Sequence, residues 1–184
     1  MQALLKDLDT RMTAAIDALG REFATVRTGR ASAALLDGIR VDYYGTPTPV
    51  NQMASIAVPD ARTLVIQPWE AGQLKAVEKA IIASDLGITP VNDGKLLRLT
   101  MPTPTEERRK QLVKTVHKMA EEARVAVRNV RREANDRLKA MARDKKVAED
   151  DERRGHDLIQ KATDKHIARV DELLKKKEQE ILSF

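Results

Sequence analysis

Ala123–Asp136 reads ARVAVRNVRREAND, and both the fold and the chemistry of the chain can be worked outward from it. At roughly 100° per residue, Arg124, Arg128 and Arg131 fall within about 60° of one another on a helix face. Ala123, Val127, Val130 and Ala134 form a neighbouring apolar stripe. One helix can therefore pack against a core and still present a row of guanidiniums. Like charges at this spacing repel mildly, whereas planar forks that bind phosphate bidentately offset that repulsion. Between Arg108 and Lys146 there are 14 Lys and Arg against 5 Asp and Glu, a net of +9. A basic run is usually a solvated face, but two features set this one apart. Arg is preferred at its centre (Arg124, Arg128, Arg131, Arg132), and Arg30–Pro104 is balanced at 7 basic and 7 acidic residues. The pattern predicts a rigid helical rod that grips nucleic-acid backbone.

The apolar seam extends in both directions from this stretch, through Leu112, Val116 and Met119 on one side and Leu138 and Met141 on the other. Pro102 and Pro104 precede it, Thr105 is a suitable N-cap, and Glu106 and Glu107 complement the helix dipole. From Thr105 to Lys145 the helix would be about 60 Å long. A break near Lys146–Ala148 leads into a last helix with Ile159, Val170, Leu174 and Ile181 on its seam. The N-terminal segment has the same period, through Leu5, Leu8, Met12, Leu19, Phe23 and Val26, and ends at Arg27-Thr28-Gly29, where Gly29 suits a left-handed C′ position.

Between these helices the period changes to two. Ile39, Val41 and Tyr43 alternate with polar positions as a strand, and Gly45–Pro49 reads as its break. Ser55–Val58 and Thr63–Gln67 are further short strands, and Leu74, Val77, Ile81 and Leu86 form a second helical pattern closed by Gly87. Asp93-Gly94 marks a hairpin between Ile88–Val91 and Leu96–Met101. The expected fold is α+β: a long three-helix bundle over 1–29 and 105–184, with a small β/α/β domain inserted over 30–104. Thr28–Ala31 and Pro102–Thr105 carry the chain between them as a two-strand hinge, which restricts twist and permits rocking.

Composition bounds the rest. The chain has 184 residues, 33% charged and only 3% aromatic, which suits helix pairs better than a large sandwich. With no cysteine it has no disulfide and no thiolate metal site. No apolar run approaches the ~18–20 residues of a membrane span, and Asp7 and Asp9 leave the N-terminus without a targeting pattern. The expectation is a soluble, cytoplasmic protein without a membrane partner. His117, His156 and His166 have no metal-ligand spacing, and Glu149-Asp150-Asp151-Glu152 suits the first turn of the last helix better than a metal site. There is no P-loop, no GxGxxG after a strand and no GxSxG elbow, so no enzyme, cofactor or metal is expected. Tyr43 and Tyr44 could stack RNA bases, although alternation places one of them in the core. Trp69, beside Pro68, reads as an anchor of the small core.

RTGRAS at Arg27–Ser32, VDYYGTPTPV at Val41–Val50, EKAIIASDLG at Glu78–Gly87, TEERRK at Thr105–Lys110 and the opening stretch together resemble the ribosome recycling factor family, nearly end to end. The resemblance implies an L-shaped molecule that binds post-termination ribosomes during recycling, and the chain is expected to be a monomer. The bundle then lies against large-subunit ribosomal RNA and the second domain meets elongation factor G, whose GTP hydrolysis splits the subunits. It carries Arg128, Arg131 and Arg109 to the RNA-facing side, beside Arg124 and Arg132 from the helix pattern. It also carries Thr28, Gly29 and Arg30 to one hinge strand, and Thr103, Pro104 and Thr105 to the other. Family members often have Ser or Thr where this chain has Ala148, a change that costs about 1 kcal/mol of capping. The residues by themselves support one rival equally well: a basic coiled-coil adaptor that binds RNA without specificity.

Overall fold

A computed structural model describes residues 1–183. In chain order the elements are α1 Gln2–Thr25, β1 Arg40–Tyr43, β2 Thr46–Pro49, β3 Ala54–Asp60, β4 Thr63–Pro68, α2 Leu74–Ile82, β5 Val91–Asn92, β6 Leu97–Thr100, α3 Glu106–Arg143 and α4 Glu149–Leu182. They divide into two compact units, Met1–Arg27 with Glu106–Ser183, and Thr28–Thr105. The architecture is α+β, with the sheets between the first helix and the last two. Phe184, the end of the expected bundle range, lies outside the described residues.

The helical unit is a three-helix bundle with two adjoining core clusters. Ile16, Leu19 and Phe23 of α1 meet Leu112, Val116 and Ala120 of α3 and Val170, Leu174 and Ile181 of α4. Leu4, Leu8 and Met12 meet Val127, Val130, Ala134, Leu138 and Ile159. The threes-and-fours spacing of each seam brings these side chains to one stripe, and the charges are left outside. α1 stops earlier than expected. Val26 is already extended at φ −76° and ψ 106°, so Gly29, at φ 85°, lies beyond the C′ position.

The corner between α3 and α4 is closed by a Schellman motif. Lys145 adopts φ 56°, its N–H donates to Ala142 O at 2.9 Å, and the Lys146 N–H donates to Met141 O at 2.9 Å. Ala148 caps α4 without a side-chain hydrogen bond, and Glu149, Asp150, Asp151 and Glu152 fill the first turn. Their charge compensates at the positive end for the missing cap oxygen.

The small unit contains an antiparallel sheet in the order β3-β4-β6-β5 and a separate β1-β2 hairpin. Val41, Leu64, Ile66, Val77, Ile81, Leu97 and Leu99 are fully buried in its core. The expected break at Gly45–Pro49 is corrected to a strand, β2, after a two-residue turn. Tyr44 (φ 49°) and Gly45 (φ 82°) both have the positive φ of a type I′ hairpin. Pro47 and Pro49 are tolerated because they face Asp42 and Arg40, alternate positions of a two-stranded ribbon. α2 likewise ends at Ile82, before Leu86 and Gly87.

Trp69 is not a core anchor. It is 67% exposed, and the inward positions of β4 are taken by Leu64, Ile66 and the buried Pro68. Alternation along the strand then sends residue 69 outward. Only its backbone is tied, donating to Met53 O at 3.1 Å.

Candidate nucleic-acid interface

The arginines of α3 differ in how freely they are presented. Arg124 is tied to α4: its Nε and Nη2 donate to Asp171 Oδ1 at 3.0 and 2.5 Å, and Nη1 donates to Glu121 at 3.1 Å. Its side chain is only 21% exposed, and the bond to Asp171 raises its already high pKa. Arg128 donates from Nη2 to Glu121 and keeps 35% of its side chain exposed. Arg131 reaches Gln160 Oε1 of α4 through a long 3.4 Å bond. Arg132 is exposed and has no partner among the described residues. Arg109 is half-buried near the start of α3. The expected row of equivalent forks is therefore graded, from a bridging Arg124 to a free Arg132.

Part of the grading comes from α4. Asp157, Asp164, Asp171 and Glu178 recur every seven residues, so they span only about 60° of that helix. This stripe borders α3, where Asp171 takes Arg124 and Glu178 faces His117 at 3.2 Å. Asp164 holds the Gln160 amide at 2.8 Å, and that amide's oxygen takes Arg131. A heptad of acids in the last helix was a visible signal, and it identifies the partner that ties Arg124 across to α4.

Glu121 lies between two arginines. The hydrogen bond from Arg128, and then that from Arg124, hold its carboxyl below the usual carboxylate range. Phosphate arriving at Arg128 has to compete with this carboxylate.

The histidines join helices. His156 Nδ1 meets Asn135 Oδ1 at 2.8 Å, and the buried His166 has Nδ1 at 2.7 Å from Ala162 O and Nε2 at 3.4 Å from both Thr13 Oγ1 and Asp9. Since the carbonyl can only accept, His166 Nδ1 is the donor, and Nε2 faces α1. Among the described residues no group of three or more His, Asp or Glu is gathered to hold a metal, and no helix is long and apolar enough to cross a membrane.

In the small unit Tyr43 and Tyr44 donate through their hydroxyls to the two oxygens of Glu70, with their rings edge-on at 4.7 Å. Tyr44 is 77% exposed. The Glu70 bond raises the Tyr43 pKa. Glu70 puts a negative charge beside the expected base-stacking surface. Of the expected hinge residues, Thr28 is buried, Gly29 carries φ 85°, and Thr103 and Thr105 are exposed with Pro104 half-buried between them. The chain passes between the units at Arg27–Thr28 and at Thr105–Glu106.

The profile of the ribosome recycling factor family matches residues 19–182. The ribosome-recycling factor of Carboxydothermus hydrogenoformans is 58% identical over 184 residues, covering 100% of both chains. That of Oleidesulfovibrio alaskensis is 57% identical over 182 residues, 99% of each. A solution structure of a ribosome recycling factor is similar at a TM-score of 0.72, with 40% identity over 100% of this chain and 97% of that one. A second similar structure places the T. thermophilus ribosome recycling factor and E. coli elongation factor G on the E. coli post-termination complex. Its TM-score is 0.64, with 48% identity over 99% of this chain and 98% of that one.

Proposed function

The chain belongs to the ribosome recycling factor family, and from that premise we propose that it binds the post-termination ribosome and, together with elongation factor G and GTP, splits it into subunits. A translation factor of this kind needs no catalytic constellation. The partner supplies the hydrolysis, and this chain supplies shape and charge. The bundle docks on large-subunit ribosomal RNA through Arg128, Arg131 and Arg132, with Arg109 at the foot of the same helix. Arg124 serves mainly as a strut that fixes α4 through Asp171. The chain works as a monomer in the cytoplasm.

The small unit meets elongation factor G. Thr28, Gly29 and Arg30 on one connection, with Thr103, Pro104 and Thr105 on the other, let it rock against the bundle and so transmit force. Likeness over the full length to a factor placed beside elongation factor G on a post-termination complex carries the reading.

Light scattering by purified post-termination ribosomes tests it. Scattering should fall when the chain, elongation factor G and GTP are all present, and should hold when any one is left out. Binding to vacant ribosomes without any splitting would leave the adaptor reading in its place. A disulfide engineered across the two units should preserve ribosome binding within a few-fold and slow splitting reversibly. The chain has no cysteine to compete with it.

A further inference from the structure

α4 carries a second charged stripe that the arginine face of α3 does not account for. Arg154, Lys161, Lys165, Arg169 and Lys176 fall within about 80° of one another on the helix, centred about 110° round from the acidic heptad. All five are exposed, and none has an ion-pair partner among the described residues. They span about 33 Å, with successive cations about one or two turns apart. Glu172 is the single acid within the stripe, and Leu158, 45% exposed, lies between the first two cations.

The distribution is not what helix stability favours. Lys161, Lys165 and Arg169 stand at i, i+4 and i+8, a spacing at which like charges repel and a Glu would stabilise. The heptad acids Asp157, Asp164, Asp171 and Glu178 of the same helix lie on the α3 side, where Asp171 and Glu178 have partners. The α3-facing flank of α4 is thus mainly acidic and partly bridged, and the other flank is mainly basic, its five cations without ion-pair partners among the described residues.

We propose that this flank of α4 is a second RNA-binding surface of the bundle, one that contacts the phosphate backbone of a strand other than the one met by α3. Lysine dominates it, and an ammonium is a mobile point charge without a fixed fork. The surface therefore adds affinity and salt dependence, while Arg128, Arg131 and Arg132 set the register. A bundle held from two faces is constrained against rolling about its long axis. A single row of arginines cannot provide that constraint. The inference rests on the RNA-binding reading of the bundle.

The test uses the full-length chain with Lys161→Gln, Lys165→Gln and Arg169→Gln combined. Its affinity for vacant ribosomes and for a 30-nucleotide polyuridylate probe is measured at several salt concentrations. Each lost phosphate contact reduces the slope of log affinity against log salt by about 0.7–0.9. The triple variant should therefore lose about two units of slope and bind both targets on the order of 10- to 100-fold more weakly in ~0.1 M salt. The Lys161→Arg, Lys165→Arg pair should bind as the parent does, and all variants should keep the parent's melting temperature. An unchanged affinity and slope in the triple variant overturns the proposal. If Arg128→Ala with Arg131→Ala still weakens ribosome binding, the reading of the α3 face stands without it. Loss of ribosome binding with full retention of the polyuridylate probe also overturns it, since the partner is then a protein.

Discussion

The two units handle charge in opposite ways. In the bundle, cations and acids are sorted into stripes, and whole helix flanks are committed to pairing or to presentation. α3 shows arginines to α4's acids on one edge and to solvent on the next. In the unit from Thr28 to Thr105 the 7 cations and 7 acids cancel, and the conspicuous surface groups are Tyr44 and Trp69. A sorted surface suits a polyanion, whose charges repeat along a line. A neutral surface with exposed aromatics suits a discrete protein contact, where a few large side chains dominate the energy. Glu70, between two tyrosine hydroxyls, reinforces the distinction by keeping a carboxylate where a phosphate-bearing strand would approach.

The largest effect should come from breaking one core while sparing the other. Val127 is fully buried among Leu8, Met12 and Ile159, in a cluster that shares no residue with the small unit's core. Val127→Asp should cost the bundle about 3–5 kcal/mol by burying an unpaired carboxylate. The small unit should keep its own cooperative transition, so calorimetry should separate two events. A single shared transition lost entirely in the variant would show that the two cores are one cooperative system.

Next in size is the loss of the presented forks. Arg128→Ala with Arg131→Ala should weaken binding to vacant ribosomes by about 1–3 kcal/mol while the melting temperature holds, since no core volume is removed. Arg124→Ala should do the reverse. It breaks the bridge to Asp171 and lowers bundle stability more than it lowers ribosome affinity. If the two variants weaken binding equally, the grading of the arginines has no functional meaning.

Much of this was legible beforehand, and the exceptions share a cause. The three seams, the inserted unit and the hairpin at Asp93-Gly94 follow from period and turn chemistry, which are local. Three features depend on what lies across from a residue. Pro47 and Pro49 can join a strand because their partners are Asp42 and Arg40 in a two-stranded ribbon. Trp69 is outward because Pro68 holds the inward site. Arg124 is bridged because α4 brings Asp171 to it. That last case could have been anticipated from the sevenfold spacing of Asp157, Asp164, Asp171 and Glu178.

A smaller stability effect should come from Gly155, a buried position of α4. A Cβ there would lie 2.7 Å from Leu138 Cδ2 and 2.8 Å from Met1 Cε. The thioether of Met1 can swing aside, but Leu138 is packed, so Gly155→Ala should destabilise the bundle by about 1 kcal/mol. Trp69→Ala, by contrast, removes the chain's one Trp and should move stability by less than about 0.5 kcal/mol. It should leave vacant-ribosome affinity unchanged and slow only the step that needs elongation factor G. A Trp69→Ala protein that unfolds readily would return that side chain to the core.

The smallest effect is also the most specific test of the sorted surface. Glu121 holds Arg128 and Arg124, and these bonds keep its native pKa below that of the unfolded chain. Its stabilising contribution is therefore complete above the unfolded carboxylate range and is lost as pH falls through the depressed native value. Throughout neutral pH Glu121 stays charged, so a phosphate reaching Arg128 would have to displace it. Glu121→Gln keeps an acceptor oxygen and removes the charge. Ribosome affinity should then rise a few-fold, the salt slope should steepen slightly as Arg128 becomes a fuller phosphate contact, and the melting temperature should barely change. The difference in affinity between the two proteins should stay constant between pH 6 and 8, since Glu121 remains charged throughout that range. The double change Glu121→Gln with Arg128→Ala should lose the gain, because there is then no fork to release. If the gain persists in the double variant, Glu121 acts through bulk repulsion of the RNA, and its contact with Arg128 is incidental.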